Sequence, residues 1–220
     1  MKNFNLAIDG PAGAGKSTIA KQIARQLGFI YVDTGAMYRA VALYFLRNNI
    51  DTAQSDKMEQ ACQNVNVTIT YQDGEQLVIL NGENVNDFIR TEEVGNMTST
   101  ISVNKAVRLK LLELQQEIAK KESVVMDGRD IGTCVLPDAD LKIYLTASSA
   151  ERAKRRWMQL KDKGIDAQIS EIERDIIERD NRDMTREIAP LKQACDAIYL
   201  DTSDMSIDEV VNKIVRMVRI

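Results

Sequence analysis

Gly10-Pro11-Ala12-Gly13-Ala14-Gly15-Lys16-Ser17-Thr18 fills every fixed position of G-x-x-x-x-G-K-[ST], a spacing built to hold phosphate. Its glycines allow positive φ and close backbone approach, so successive N–H groups can point inward at phosphate oxygens. A helix opening near Ser17 adds its positive dipole end. Lys16 would bridge the terminal phosphates of a nucleoside triphosphate, and Ser17 would offer its hydroxyl to Mg²⁺. A second acidic group completes such a site. The apolar run Ser123-Val124-Val125-Met126 ends in Asp127-Gly128-Arg129-Asp130, and an acid closing a buried strand can help hold Mg²⁺ directly or through water.

Arginines supply the rest of the candidate chemistry. Arg39 follows Asp33-Thr34-Gly35 at the start of an expected helix, near the ligand edge of an open sheet. Arg152, Arg155 and Arg156 fall at i, i+3 and i+4; Arg179, Arg182 and Arg186 fall at i, i+3 and i+7. Two Arg-faced helices joined by a polar turn would make a mobile lid over an anionic ligand. Interleaved acidic residues leave solvated, ion-paired helices as the alternative.

These groups need elements to carry them. Phe4-Asn5-Leu6-Ala7-Ile8 reads as a buried strand before the phosphate loop, and Ile19, Ala20, Ile23, Ala24 and Leu27 as one helix face after it, closed by Gly28. Further strands are expected at Phe29–Val32, Ser123–Met126, Leu141–Leu145 and Ala197–Leu200. Lys105–Lys121 reads as a helix, with Val107, Leu111, Leu114 and Ile118 on one face. Ser148-x-x-Glu151, Ser170-x-x-Glu173 and Ser206-x-x-Glu209 each read as a capping box opening a helix. On the last helix, Ile207, Val210, Val211, Ile214, Val215 and Val218 form a stripe whose expected job is packing. Residues 61–102 break the strand–helix rhythm. Val65–Tyr71 alternates, Asp73-Gly74 and Asn81-Gly82 are hairpin signals, and Leu77–Leu80 lies between them. An antiparallel meander inserted on the main domain is expected, with a short helix after Arg90; three strands extending the main sheet are the alternative. The expected architecture is α/β, a single domain over 1–220 with this β insert and a helical lid region at 152–186.

Composition bounds the partners. A net charge of −4 disfavours nucleic acid. No apolar run approaches a membrane span, and no leader is expected before a phosphate-loop strand that starts at Phe4. Cys62, Cys134 and Cys195 are odd in number and far apart, which fits a reducing cytoplasm. The chain has no histidine, which excludes Ser-His-Asp and Cys-His schemes. Transfer to a phosphate acceptor needs no such base, because an acceptor with second pKa near ~6 is largely ionised at neutral pH.

A phosphate loop alone does not separate a kinase from a GTP-dependent switch. A GTPase needs N-K-x-D, and Asn104-Lys105-Ala106-Val107 lacks the Asp; no D-x-x-G occurs. A small-molecule kinase remains. The arginines suggest a phosphorylated acceptor, since two like charges about 4 Å apart repel by roughly 4 kcal/mol at an effective dielectric of 20. Guanidiniums, Lys16 and Mg²⁺ would offset that. Shikimate-type acceptors on the same scaffold are the runner-up.

Over essentially its whole length the chain resembles the bacterial-type cytidylate kinases, within the nucleoside monophosphate kinases of the P-loop class. The carriers are Ile8–Thr18, Asp33–Arg39, Ile89–Val94, Asp127–Thr133, Glu178–Asp183, Arg186 and Ala189-Pro190-Leu191. No motif position departs from the pattern, and the insert distinguishes this family from adenylate kinases. The resemblance implies a three-layer fold with a five-stranded parallel sheet; a monomer is the default expectation because no apolar patch is readable from the sequence. The resemblance implies transfer of the γ-phosphoryl of ATP, with Mg²⁺, to CMP or dCMP. It also implies roles: Gly10 to Thr18 for ATP, with Arg152 and Arg156 of the lid (and Arg155 beside them) closing on it. Arg39, Arg129 and Arg186 would hold the acceptor phosphate, beside Lys16 and Asp127. Thr34, Tyr38, Ser99, Arg108 and Asp130 would surround the cytosine, and Arg179 and Asp183 would reach the sugar. A carboxylate at Asp130 would accept from the cytosine N4 amino group and repel the uracil O4, a preference of about 1–3 kcal/mol.

Overall fold

Five apolar runs become five parallel strands; the first four are buried on both faces, and the last, Ile198–Asp201, is a sheet edge that buries only Leu200. The computed structural model describes residues 3–72, 74–162 and 164–218. Asp73 of the first hairpin signal and Lys163 of the lid region lie outside these residues. In chain order the main-sheet strands are β1 (Asn5–Asp9), β2 (Ile30–Asp33), β6 (Val124–Gly128), β7 (Leu141–Thr146) and β8 (Ile198–Asp201). Their spatial order is β2-β6-β1-β7-β8. The order jumps on either side of β1, so crossover helices leave the crevice at the strand C-termini open.

The period of two sends alternate residues into two cores. Leu6 and Ile8 of β1, with Val125 of β6 and Ile143 and Leu145 of β7, pack against α1 (Lys16–Leu27) and α8 (Ile207–Val215). Ala7, Val124 and Met126 face the other way, against α2 (Thr34–Arg47), α3 (Ser55–Gln63), α4 (Glu92–Ile101) and α5 (Lys105–Lys121). Helices α6 (Ser149–Asp162) and α7 (Ile169–Thr185) pair with each other beside the strand ends.

β3 (Val67–Gln72), β4 (Glu75–Leu80) and β5 (Glu83–Asn84) form their own antiparallel sheet and do not extend the main one. Val67, Val78 and Leu80 sink into the core shared with α2, and polar contacts fix the sheet to the edge of β2. Buried Gln76 of β4 accepts from the Asp33 backbone N–H at 2.8 Å and donates to its C=O at 3.3 Å. The Tyr71 hydroxyl donates to the Tyr31 C=O at 3.2 Å. Two side chains thus continue the ladder that β2 would otherwise leave open at the sheet edge.

Helix ends follow local chemistry unevenly. Gly28 takes φ 69° and closes α1 through its N–H to the Ala24 C=O. Ser206 and Glu209 form a full reciprocal capping box on α8. Only half of the box forms at α6: Glu151 N–H reaches Ser148 Oγ, but the Ser148 N–H goes to Ser203 Oγ. The expected box at Ser170 is absent. Helix α7 starts at Ile169 with Gln168 before it, and Glu173 accepts from Ser149 Oγ of α6 at 2.7 Å instead. Helix–helix packing took the carboxylate that the cap would have used. Two elements lie outside the expected pattern: α3, and a single π-helical turn at Ile131–Val135.

Candidate active site

The strand C-termini open into a cavity of about 830 Å³. Its floor is the phosphate loop between β1 and α1. Gly10 is obligatory there: its φ is +150°, and a Cβ would sit 1.9 Å from the Leu145 carbonyl oxygen. Gly15, at φ 88°, is the N-cap of α1 and supplies no side chain, leaving the first helical N–H groups for a ligand. Ala12 to Thr18 line the cavity; Gly10 and Pro11 support the loop from outside that lining.

Lys16 is almost wholly buried, its ammonium donating to the Pro11 C=O at 2.7 Å. Burial, then the Arg129 guanidinium, push its pKa down to about 7, against the pull of Asp127 and Asp9. Asp127, next to last in β6, receives two hydroxyls: Ser17 Oγ at 2.9 Å on Oδ2 and the Tyr31 phenol at 2.9 Å on Oδ1. Burial, reinforced by nearby Asp33, pushes its pKa up to about 6. A hydroxyl and a carboxylate oxygen side by side are a hard-oxygen donor pair suited to Mg²⁺ with phosphate oxygens completing its shell. Among the described residues no cluster of three or more Asp, Glu, Cys or His is placed to hold a metal ion.

Beyond Lys16 stand the guanidiniums. Arg39 of α2 and Arg179 of α7 are both depressed in pKa, first by burial and then by like charge, with Arg179 falling to about 10. Arg129 Nε donates to Asp183 Oδ2 at 2.8 Å. Burial would raise the Asp183 carboxyl, yet Arg129, Arg186 and Arg179 together hold it below its ordinary value. The buried Arg179 Nε has no hydrogen-bond partner. Cations crowded until they depress one another, with a buried donor left over, describe a place for an anion.

At the far end Asp130 pairs with Arg108 of α5 and, at 3.5 Å, with Arg186. Arg108 lies over the Tyr38 ring, 5.8 Å from its centroid. Thr34 and Ser99 line the same end; the Thr34 hydroxyl donates to the Asp127 backbone carbonyl at 2.7 Å. Arg186 is not on the α7 face that its spacing predicts. It follows the helix in extended conformation and donates through Nε to the Ala189 C=O at 2.6 Å. Arg182 is exposed.

The α6 arginines separate. Arg152 is buried, ion-paired with Asp180 of α7 at 2.6 Å and donating to the Ala12 and Ala147 carbonyls at 2.9 Å. Asp180 also accepts from the Ala12 N–H at 3.3 Å. Arg152 and Asp180 therefore grip the phosphate loop by its backbone, and Arg152 does not line the cavity. Nor does Arg156, which is exposed. Arg155 does line it, donating to the Thr202 C=O at 2.8 Å.

One wall went unnoticed in the sequence. Met158 of α6, Ser203 to Ser206 after β8, and Ile207 with Val210 of α8 line the cavity next to the phosphate loop. Ile207 was expected in the core stripe but is 47% exposed. The available signal is that Ser203-Asp204 follows a strand C-terminus, the same edge that carries the phosphate loop, Thr34 and Asp127.

Comparison with known proteins bears on this geometry. The family model "Cytidylate kinase" matches residues 6–220. The chain belongs to that family. A cytidylate kinase of Caldicellulosiruptor bescii is 52% identical over 217 residues, 99% of this chain and 96% of the relative. One of Lactobacillus johnsonii is 50% identical over 216 residues, 98% of this chain and 94% of its own length. Among solved structures, an uncharacterised protein of Eubacterium ventriosum superposes with TM-score 0.55 at 12% identity, covering 98% of both chains. A shikimate kinase of Bacteroides thetaiotaomicron gives 0.50 at 14% identity, covering 97% of both. At such identities the likeness is one of fold, and it places the cytidylate kinase family chain on a P-loop kinase scaffold.

Proposed function

We propose that this protein transfers the γ-phosphoryl group of ATP to CMP or dCMP, giving ADP and CDP or dCDP. The observation that carries the reading is the set of guanidiniums Arg39, Arg179 and Arg186, each depressed first by burial and then by neighbouring cations, lining one cavity with Arg129, Lys16 and Asp130. Family membership and relatives at about half identity support the same activity.

In this reading Ala12 to Thr18 cradle the donor phosphates, and Lys16 bridges them. The donor base lies against Arg155, Met158 and Ile207. Arg39, Arg129 and Arg186 hold the acceptor phosphate, and Arg179 with Asp183 reach the sugar. Tyr38, Ser99, Arg108 and Asp130 receive the cytosine, with Asp130 accepting from its N4 amino group. Ser17 and Asp127 would hold Mg²⁺, which neutralises developing charge on the transferring group when bound. The protein's own contribution is alignment and charge: two phosphates that repel are drawn into line by fixed cations, and burial strengthens each contact. The acceptor arrives ionised, so no side chain need remove a proton.

A cytoplasmic monomer is part of the reading. The cavity is built from one chain, Cys134 and Cys195 are exposed free thiols, and among the described residues no helix is long and apolar enough to cross a membrane. The test is Mg²⁺-ATP turnover, read as ADP release, on CMP, dCMP, UMP, AMP, GMP and shikimate in parallel. Turnover should be strong with CMP and dCMP, weaker with UMP and slight with the rest. Preference for AMP or shikimate would discard the base assignment.

A further inference from the structure

Asp9 ends the central strand β1 immediately before the phosphate loop, with Gly128 and Tyr144 as its register partners on either side. It is buried, and both of its carboxylate oxygens accept hydrogen bonds from outside the loop it precedes. Oδ1 accepts from the Ile131 N–H at 2.8 Å and Oδ2 from the Gly132 N–H at 2.7 Å. These are the first two amides of the π-helical turn Ile131–Val135, whose N-cap is Asp130. An Asp at an N-cap ordinarily turns its own carboxylate onto those amides. Asp130 makes no such cap; its carboxylate faces Arg108 and Arg186.

The contact is tight. A Cβ on Gly132 would stand 3.1 Å from Lys142 Cδ and 3.4 Å from Asp9 Oδ2. The far end of the turn is pinned as well, by Gln116 Nε2 donating to the Val135 C=O at 3.0 Å. π-Turns cluster at functional sites because their extra residue redirects side chains. Burial and the nearby Asp130 raise the Asp9 carboxyl to about 6, against the two amides and Lys16, so the contact is held at a cost in desolvation.

We propose that Asp9 is a positioning residue for acceptor-base specificity: it caps the Ile131–Val135 turn in place of Asp130 and so leaves the Asp130 carboxylate free to read the base. Because Asp9 adjoins Gly10, the same contact ties the base-reading turn to the phosphate loop. The inference rests on the assignment of Asp130 to the cytosine.

Steady-state kinetics with CMP and with UMP on the wild type, Asp9→Asn, Asp130→Ala and the double variant test it. Asn keeps the shape but turns an N–H toward one of the two amides. The CMP-to-UMP ratio of kcat/KM should fall about tenfold in Asp9→Asn, through KM for CMP, while KM for ATP changes by less than about threefold. In the Asp130→Ala background, Asp9→Asn should leave the ratio where it stands. Equal losses on CMP and UMP, or a full effect of Asp9→Asn without Asp130, would overturn the proposal. A ratio that responds to Asp130→Ala but not to Asp9→Asn removes Asp9 alone. A ratio indifferent to Asp130→Ala removes the base assignment and Asp9 with it. Should Asp9→Asn not fold, Gly132→Ala displaces the same turn, its methyl crowding Lys142 Cδ at 3.1 Å. It should narrow the ratio likewise, and an unchanged ratio there counts against the role.

Discussion

Arg129 and Asp183 illustrate how single groups here are set by their neighbours. Arg129 gives its Nε to Asp183 at 2.8 Å, and in the proposed complex its terminal nitrogens hold the acceptor phosphate as it meets the transferring group. Charge that develops only in the transition state makes such a donor matter to turnover more than to binding. Arg129→Ala should therefore lower kcat by roughly 10³-fold or more, the range known for arginines on transferring phosphoryl groups. ATP affinity, measured by calorimetry in the absence of acceptor, should change by only a few-fold. A kcat within about fivefold of the wild type would reduce Arg129 to a structural partner of Asp183. Arg156 is the natural control on the same molecule, since it is exposed and does not line the cavity.

Helices α6 and α7 are bound to the phosphate loop by a buried pair, and that pair belongs to the elements as a unit. Asp180 joins the Ala12 N–H to Arg152, and Arg152 reaches the Ala12 and Ala147 carbonyls. Removing one partner of a buried ion pair strands the other charge. Asp180→Ala should cost about 3 kcal/mol in urea unfolding, whereas Arg156→Ala should stay within about 0.5 kcal/mol. If both variants unfold at the wild-type midpoint, the grip on the loop contributes nothing to stability. At the other end of the sheet, Gln76 does for the small β-sheet what Asp180 does for the helices: it satisfies backbone groups of Asp33 that no strand covers. Each appended element thus has a buried polar side chain that satisfies backbone groups at the edge it meets.

Across the whole molecule, the site stores charge at the expense of stability. The Asp9 carboxyl titrates near 6 in the folded protein, above its ordinary 3.8. The folded state therefore holds this proton more tightly than the unfolded chain. The stability it contributes is complete below about 3.8 and is lost as pH rises through about 6. The advantage of wild type over Asp9→Asn in thermal or urea unfolding should shrink from pH 4 to pH 7, by about 3 kcal/mol at most. An advantage that stays flat or grows over that range would contradict the burial cost assigned to Asp9. A carboxylate kept ionised and buried at neutral pH against this cost fits a group retained for function.

Much of the protein was legible in its residues alone. The phosphate loop with its flanking strand and helix, the five parallel strands and the separate β-meander all follow from short-range rules. A glycine is needed where φ is positive, alternation marks strands, and apolar runs closed by acids mark the ligand edge. Lys16, Ser17 and Asp127 could be singled out because strand ends converge at one edge whatever the rest of the chain does, whereas the role expected of Arg129 came from the family resemblance. Spacing failed where a side chain chose among partners far away in sequence. Arg152 and Arg155 are one helical turn apart, yet one is buried on Asp180 and the other lines the cavity, since the packing of α7 decides which face of α6 is covered. Periodicity assigned Ile207 to the core stripe without knowing that a cavity lay opposite its end of the helix. The π-turn below Asp130 has no local signature, because its amides are capped by Asp9, more than a hundred residues earlier in the chain. Backbone preferences act between neighbours and can be read from them. Competition for a buried carboxylate is settled only when the strands have brought the competitors together.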